Sequence, residues 1–162
     1  MFHPDENGVY AVVGASPIRR AFAYVIVVSL GAVVLLTVLS EPPGLFWMIF
    51  MFMFGIGALW LAELLRRATT MVIELTETEL RDSNGTVLAH MDDIKAVERG
   101  VFAFKPSNGF ILVLETKQPR SWAPGLWWRL GRRVGVGGVT SAGQCKFMAE
   151  QIAFRVAQRR AA

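Results

Sequence analysis

Cysteine occurs once, at Cys145, and histidine twice, at His3 and His90, in 162 residues. A single cysteine excludes an intrachain disulfide, and two widely separated imidazoles leave little from which to build a zinc site. Charge is scarce as well. Asp, Glu, Lys and Arg make up only 19% of the chain, where a globular domain carries about 25%. The deficit is local: residues 21–62 hold one charge, Glu41, whereas 66–162 hold 15 basic and 9 acidic side chains. This distribution excludes a plain soluble enzyme, a disordered chain and a many-span transporter. It fits a small membrane anchor joined to one domain of ordinary size.

The uncharged stretch divides in two. Residues 21–40, AFAYVIVVSLGAVVLLTVLS, and 44–62, GLFWMIFMFMFGIGALWLA, are each close to the ~20 residues that cross a bilayer core as helix. Between them stand Glu41, Pro42, Pro43 and Gly44. Adjacent prolines lack N–H donors and force the preceding residue extended, so the chain turns here. The expectation is a helical hairpin over 21–65, preceded by a tail over 1–20. A cleaved signal peptide is the rival reading of the first run. The long tail with Asp5 and Glu6, the lack of a small-x-small site and the second run directly behind it argue against that. Arg19 and Arg20 precede the first run and Arg66 and Arg67 follow the second, with no basic residue in the connection. The positive-inside rule then puts both termini in the cytoplasm, in a bacterium at the inner membrane.

Within the second run Trp47 and Trp60 lie near the ends, where aromatic rings favour the interface. Phe and Met crowd between them. Trp47, Phe50, Met51 and Phe54 are candidates for packing on a membrane partner, methionine being adaptable; a generic lipid-facing helix is the plainer alternative. Gly55 and Gly57 permit close helix approach but lack GxxxG spacing.

From Met71 the period changes to two. MVIELT (71–76), ELRD (79–82), residues 86–91, residues 94–104 and FILVLET (110–116) read as strands, with Ser83-Asn84-Gly85 and Pro106 to Gly109 as turns. Ile94, Val97, Val101 and Phe104 are core candidates of the fourth strand. A further strand is expected at 133–139. Ser141 and Gln144 have capping-box spacing ahead of a helix to about Arg160, with Phe147, Met148, Ile152 and Val156 on its apolar face.

The pair of strands in IELTETELRD, the SNG turn, the corner and strand HMDDIKAVE and the terminal AEQIAFRV helix resemble bacterial pleckstrin-homology-like (PH-like) domains, which often follow transmembrane helices. The resemblance covers about 70–160. It implies a membrane-anchored PH-like antiparallel β-barrel over 66–162, capped by one C-terminal helix, that binds and does not catalyse. The Trp- and Arg-rich stretch 120–133 is longer than a minimal barrel requires.

No reactive constellation survives inspection. His90, Asp92 and Asp93 lie at a strand end, where adjacent residues point to opposite faces, and His3 is too far away to supply a second imidazole. Gly135, Gly137 and Gly138 lack the Lys and Ser/Thr of a phosphate loop. Cys145 falls in the first turn of a helix, where a thiol pKa can drop, but has no His or Asp partner, so packing is the expected role. Neither catalytic residues nor a metal or cofactor is expected.

Trp122, Trp127, Trp128, Arg129, Arg132 and Arg133 stand out. Rings at headgroup depth and guanidinium groups on phosphates suit anionic lipid; the alternative is a loop tucked into the barrel mouth. Residues 117–162 carry nine basic side chains against one acidic. Nucleic acid is disfavoured by the short tether to the membrane. Two functions follow as expectations. One is a membrane adaptor that binds lipid headgroups or a protein and scaffolds, assembles or regulates an inner-membrane complex. The other is a stoichiometric accessory subunit of an energy-transducing or transport complex.

Overall fold

The computed structural model describes residues 8–98 and 106–161. Val101 and Phe104 lie outside them. The chain opens with a short strand, β1 (Ala11–Gly14), and then enters α1 (Pro17–Ser40) and α2 (Leu45–Ala68). Pro17 at the first helical position is pre-set for helix, so α1 starts four residues before the uncharged run. Both helices are long and apolar enough to cross a membrane.

Their packing uses the smallest side chains. Gly55, Ala58 and Ala62 form the buried stripe of α2. A Cβ on Gly55 would come within 2.6 Å of Leu35, and one on Gly31 within 3.1 Å of the Gly55 carbonyl. The two backbones therefore meet at Gly31 and Gly55, without GxxxG spacing in either helix. The large side chains point away from the pair: Phe22, Leu36, Phe46, Trp47 and Trp60 are all exposed.

Strands β2 (Val72–Leu75), β3 (Glu79–Asp82) and β4 (Val87–His90) follow, then a 3-10 turn at Met91–Asp93 and β5 (Ile94–Glu98). Long strands β6 (Phe110–Ala123) and β7 (Trp127–Val136) lead to α3 (Ala142–Ala161). Alternation decides the faces: Ile73 and Leu75 are buried, while Val72 and Glu74 are half-exposed. At the β3–β4 turn, Gly85 takes φ +84° and the buried Asp82 carboxylate accepts the Asn84 and Thr86 N–H groups.

All pairings are antiparallel, in a four-stranded sheet β1-β2-β3-β4 and a three-stranded sheet β5-β6-β7. The expected closed barrel is not formed. At one seam, the Arg129 guanidinium on β7 donates to the carbonyls of Val87 (2.6 Å) and Leu88 (3.5 Å) on β4, where a closing ladder would need backbone donors. At another, the isolated Ala15–Thr140 bridge stands in place of a ladder between the sheets' ends. The core lies between the sheets, built from side chains such as Ile73, Leu80, Ile94, Phe110, Leu112 and Val134, and α3 covers it with Met148, Ile152 and Val156.

β1 was expected to belong to a tail. Instead its residues pair with β2 in the register Ala11–Leu75 to Gly14–Val72. The helical pair is thus inserted into the connection of a β-hairpin. Its feet are tied down: Gly14 donates its N–H to Gln144 Oε1 (3.1 Å), and Ser141 donates to the Gly14 carbonyl (3.2 Å). The residues that read as a capping box hold the first strand to the last helix.

Candidate functional site

The stretch expected as a loop at 120–133 is the distal part of the β6–β7 hairpin. Ala123, Pro124, Gly125 and Leu126 make its turn, closed by the Leu126 N–H on the Ala123 carbonyl (3.1 Å). Pro at the second position and Gly125 at φ +75° in the third are what a type II turn requires. Register shifts between Val113 and Gln118 and again between Gln118 and Ser121 bend the ribbon sharply. The tip folds back on the exit of β7: Gly137 donates to Leu126 (2.9 Å) and Val139 to Gly125 (3.0 Å).

This curl sorts the tryptophans. Trp122 and Trp128 are directly opposed across the strands, and Ala123 faces Trp127 one step on, toward the other side. Trp127 is buried, 3% exposed, and its indole N–H has no hydrogen-bond partner among the described residues. Trp128 packs directly on Gly135, where any side chain would collide with the indole. Trp122 is 59% exposed. Burial thus differs residue by residue along the stretch. Trp127 tucks in; Trp122 faces out.

The tip meets the helical pair. A Cβ on Gly125 would sit 2.7 Å from Leu65 Cδ1. A largely apolar groove of about 300 Å³ is lined by Val27, Leu61 and Leu65 from the helices together with Trp122, Trp127 and Trp128. Val27 and Leu61 belong to the uncharged runs, so Trp122 and Trp128 share one surface with the helix faces. No local sequence signal links these helix positions to a stretch some sixty residues downstream of α2.

The arginines separate as well. Arg129 is consumed by structure, donating to Pro119 (2.9 Å) and to β4. Arg132 and Arg133 are exposed. Much of the C-terminal positive charge is engaged elsewhere. Arg155 donates to the Thr76 carbonyl and lies 3.9 Å over the Tyr10 ring; Arg159 donates to the Met91 and Ile94 carbonyls. These residues clasp α3 to both sheets.

On α2, Trp47, Phe50 and Phe54 form a ladder on the face turned away from α1. Trp47 and Phe50 meet edge-on at 5.9 Å and Phe50 stacks on Phe54 at 6.4 Å. All three are exposed, while Met51 is half-buried, so the structure brings three of the four candidates to one outward face.

Elsewhere the polar groups serve the fold. The Asp93 carboxylate accepts from the Thr116 N–H (2.9 Å) and hydroxyl (2.7 Å), pinning the 3-10 turn to β6. His90 is exposed beside Glu79, at 3.8 Å. Among the described residues no three His, Cys, Asp or Glu side chains group as metal ligands. Cys145 is buried, and burial pushes its thiol pKa up despite the Thr140 hydroxyl 3.3 Å away. The helix position that can activate a thiol is overridden by desolvation. The cavity beside it is lined by residues such as Phe110, Ala142 and Lys146, with neither imidazole nor carboxylate among the described residues of its wall.

Comparison with profiles of known protein families, with curated proteins and with solved structures returns no match.

Proposed function

We propose that this chain is a non-catalytic, membrane-anchored adaptor. Its PH-like domain works at the cytoplasmic face of a bacterial inner membrane, where it contacts anionic lipid headgroups or a protein and so scaffolds, assembles or regulates a membrane complex. The observation that carries this reading is the groove in which Trp122 and Trp128 stand against Val27 and Leu61. Amphipathic rings beside the cytoplasmic ends of two spans belong at headgroup depth. The sheets of four and three strands with a C-terminal helix support the PH-like reading of the domain. Arg19, Arg20, Arg66 and Arg67 at the helix feet support the orientation. The β1–β2 pairing supports it too, because it holds both feet on one side.

The test is a nitroxide label at position 122 (Trp122→Cys, Cys145→Ala) in the full chain reconstituted in anionic vesicles. Collisions with oxygen are expected to exceed those with an aqueous nickel chelate. The opposite ratio removes the hairpin from the interface.

A second reading, the accessory subunit, is favoured by the exposed Trp47, Phe50 and Phe54 ladder. Constant co-migration with one complex on native gels after mild solubilisation supports it; free migration of the chain opposes it.

A further inference from the structure

A second cavity, of about 360 Å³, lies at the foot of the helical pair, lined by Ala15, Pro17, Arg20, Ala21, Tyr24 and Arg66. Four arginines surround this foot, and three are engaged. Arg19 donates to the Thr140 carbonyl (3.0 Å); Arg66 and Arg67 share the Glu63 carboxylate at 2.7 Å. Arg20 is different. It is half-buried in the cavity wall, and its guanidinium has no partner among the described residues. Arg66 binds Glu63 through Nε and Nη2, which leaves its Nη1 donors unused. Tyr24 stands one helical turn above Arg20 and adds a phenol hydroxyl. An unpaired guanidinium held in a cavity gains most from a bidentate oxyanion. The rest of the wall, Ala15, Pro17 and Ala21, is small and apolar, and it leads into the uncharged run of α1.

From this we infer that the cavity binds the phosphate of one anionic glycerophospholipid, with Arg20 as its main contact, Tyr24 and Arg66 as supports, and the acyl chains lying along α1. This site is separate from the β6–β7 groove, and the inference rests on the helices being embedded in a bilayer. A free phosphate ion offers the same oxygens without the chains. Glu63, which pairs with Arg66 and Arg67, offsets one of the four arginine charges at this foot.

The test uses the full chain in detergent micelles, titrated with phosphatidylglycerol, with phosphatidylcholine and separately with inorganic phosphate, and reads bound species by native mass spectrometry. One tightly held phosphatidylglycerol per chain is expected, with phosphatidylcholine bound more weakly. Arg20→Gln should weaken retention about tenfold, the scale of one hydrogen-bonded charge contact, and Arg20→Lys should recover part of it. Tyr24→Phe, which keeps the ring, should give a smaller loss and serves if Arg20→Gln misfolds. Undiminished retention in both variants overturns the site. So does equal retention of the two lipids, or full displacement by inorganic phosphate. Alkaline carbonate extraction checks the anchoring separately: release of the wild-type chain from membranes removes the embedded reading, whatever the lipid titration shows.

Discussion

The helical pair and the sheet domain are inside out with respect to each other. The pair buries Gly31, Gly55, Ala58 and Ala62 and exposes Phe22, Phe50 and Trp60; the domain buries Phe110, Leu112 and Leu126 and exposes Glu115, Lys117 and Arg132. Water drives large apolar groups inward. Lipid does not, so helices in it meet wherever their backbones come closest. One chain thus carries two packing rules, and the surface each region presents fits a different solvent.

The largest expected effect tests this contrast directly. Leu112→Ala removes a fully buried side chain between the sheets and should cost about 2–5 kcal/mol. Phe50→Ala removes a larger group from an outward face and should change stability by less than about 0.5 kcal/mol. Both are read from denaturation of the full chain in micelles. Comparable losses would mean that protein, and not lipid, covers α2.

Next in size is a pair of glycines two residues apart. Gly55→Leu collides with Leu35 and should splay the helices at a cost of about 1–3 kcal/mol, whereas the space around Gly57 is open. Distances between spin labels on the two helices should lengthen only in the first variant. Equal behaviour of the two would discard the Gly31–Gly55 contact.

The smallest effect concerns the tie between the regions. Gln144→Ala strips the acceptor from the Gly14 N–H and should cost about 1 kcal/mol, with faster amide exchange confined to β1. Unchanged exchange there would show that Gln144 holds nothing.

Legibility followed the range of the interactions. The two apolar helices, the ELRD strand, the Asn84-Gly85 turn and α3 each rest on contacts within a few residues, and their patterns are plain. β1 did not register because AVVG is four residues long and its partner lies beyond two helices. Gly55 is visible as a glycine, but its counterpart Gly31 sits in the other helix, out of reach of a spacing rule. The β6–β7 hairpin was hidden by its own bulges. Pro119, Arg120 and Gly131 look like loop, and the register shifts break the alternation that would separate Trp122 from Trp127. Of the candidate interface residues, Trp122, Arg132 and Arg133 remain exposed and Trp128 is half-buried; the remaining two, Trp127 and Arg129, are structural. Type and position were readable, but direction was not, because direction depends on the curl.

The strand order also sets an order of events in synthesis. Ala11–Gly14 leaves the ribosome first, yet its partner Val72–Leu75 appears only after both helices have been made. If a single helix crossed the membrane, the first strand would be left on the far side and β2 would keep an open edge, a known invitation to aggregation. In a chain anchored as proposed, insertion of both helices together returns β2 to the side on which β1 waits. Pairing of β1 with β2 would then report correct insertion, and a fragment beginning at residue 66 would leave β2 as the bare edge, lacking the strand that pairs with Val72–Leu75.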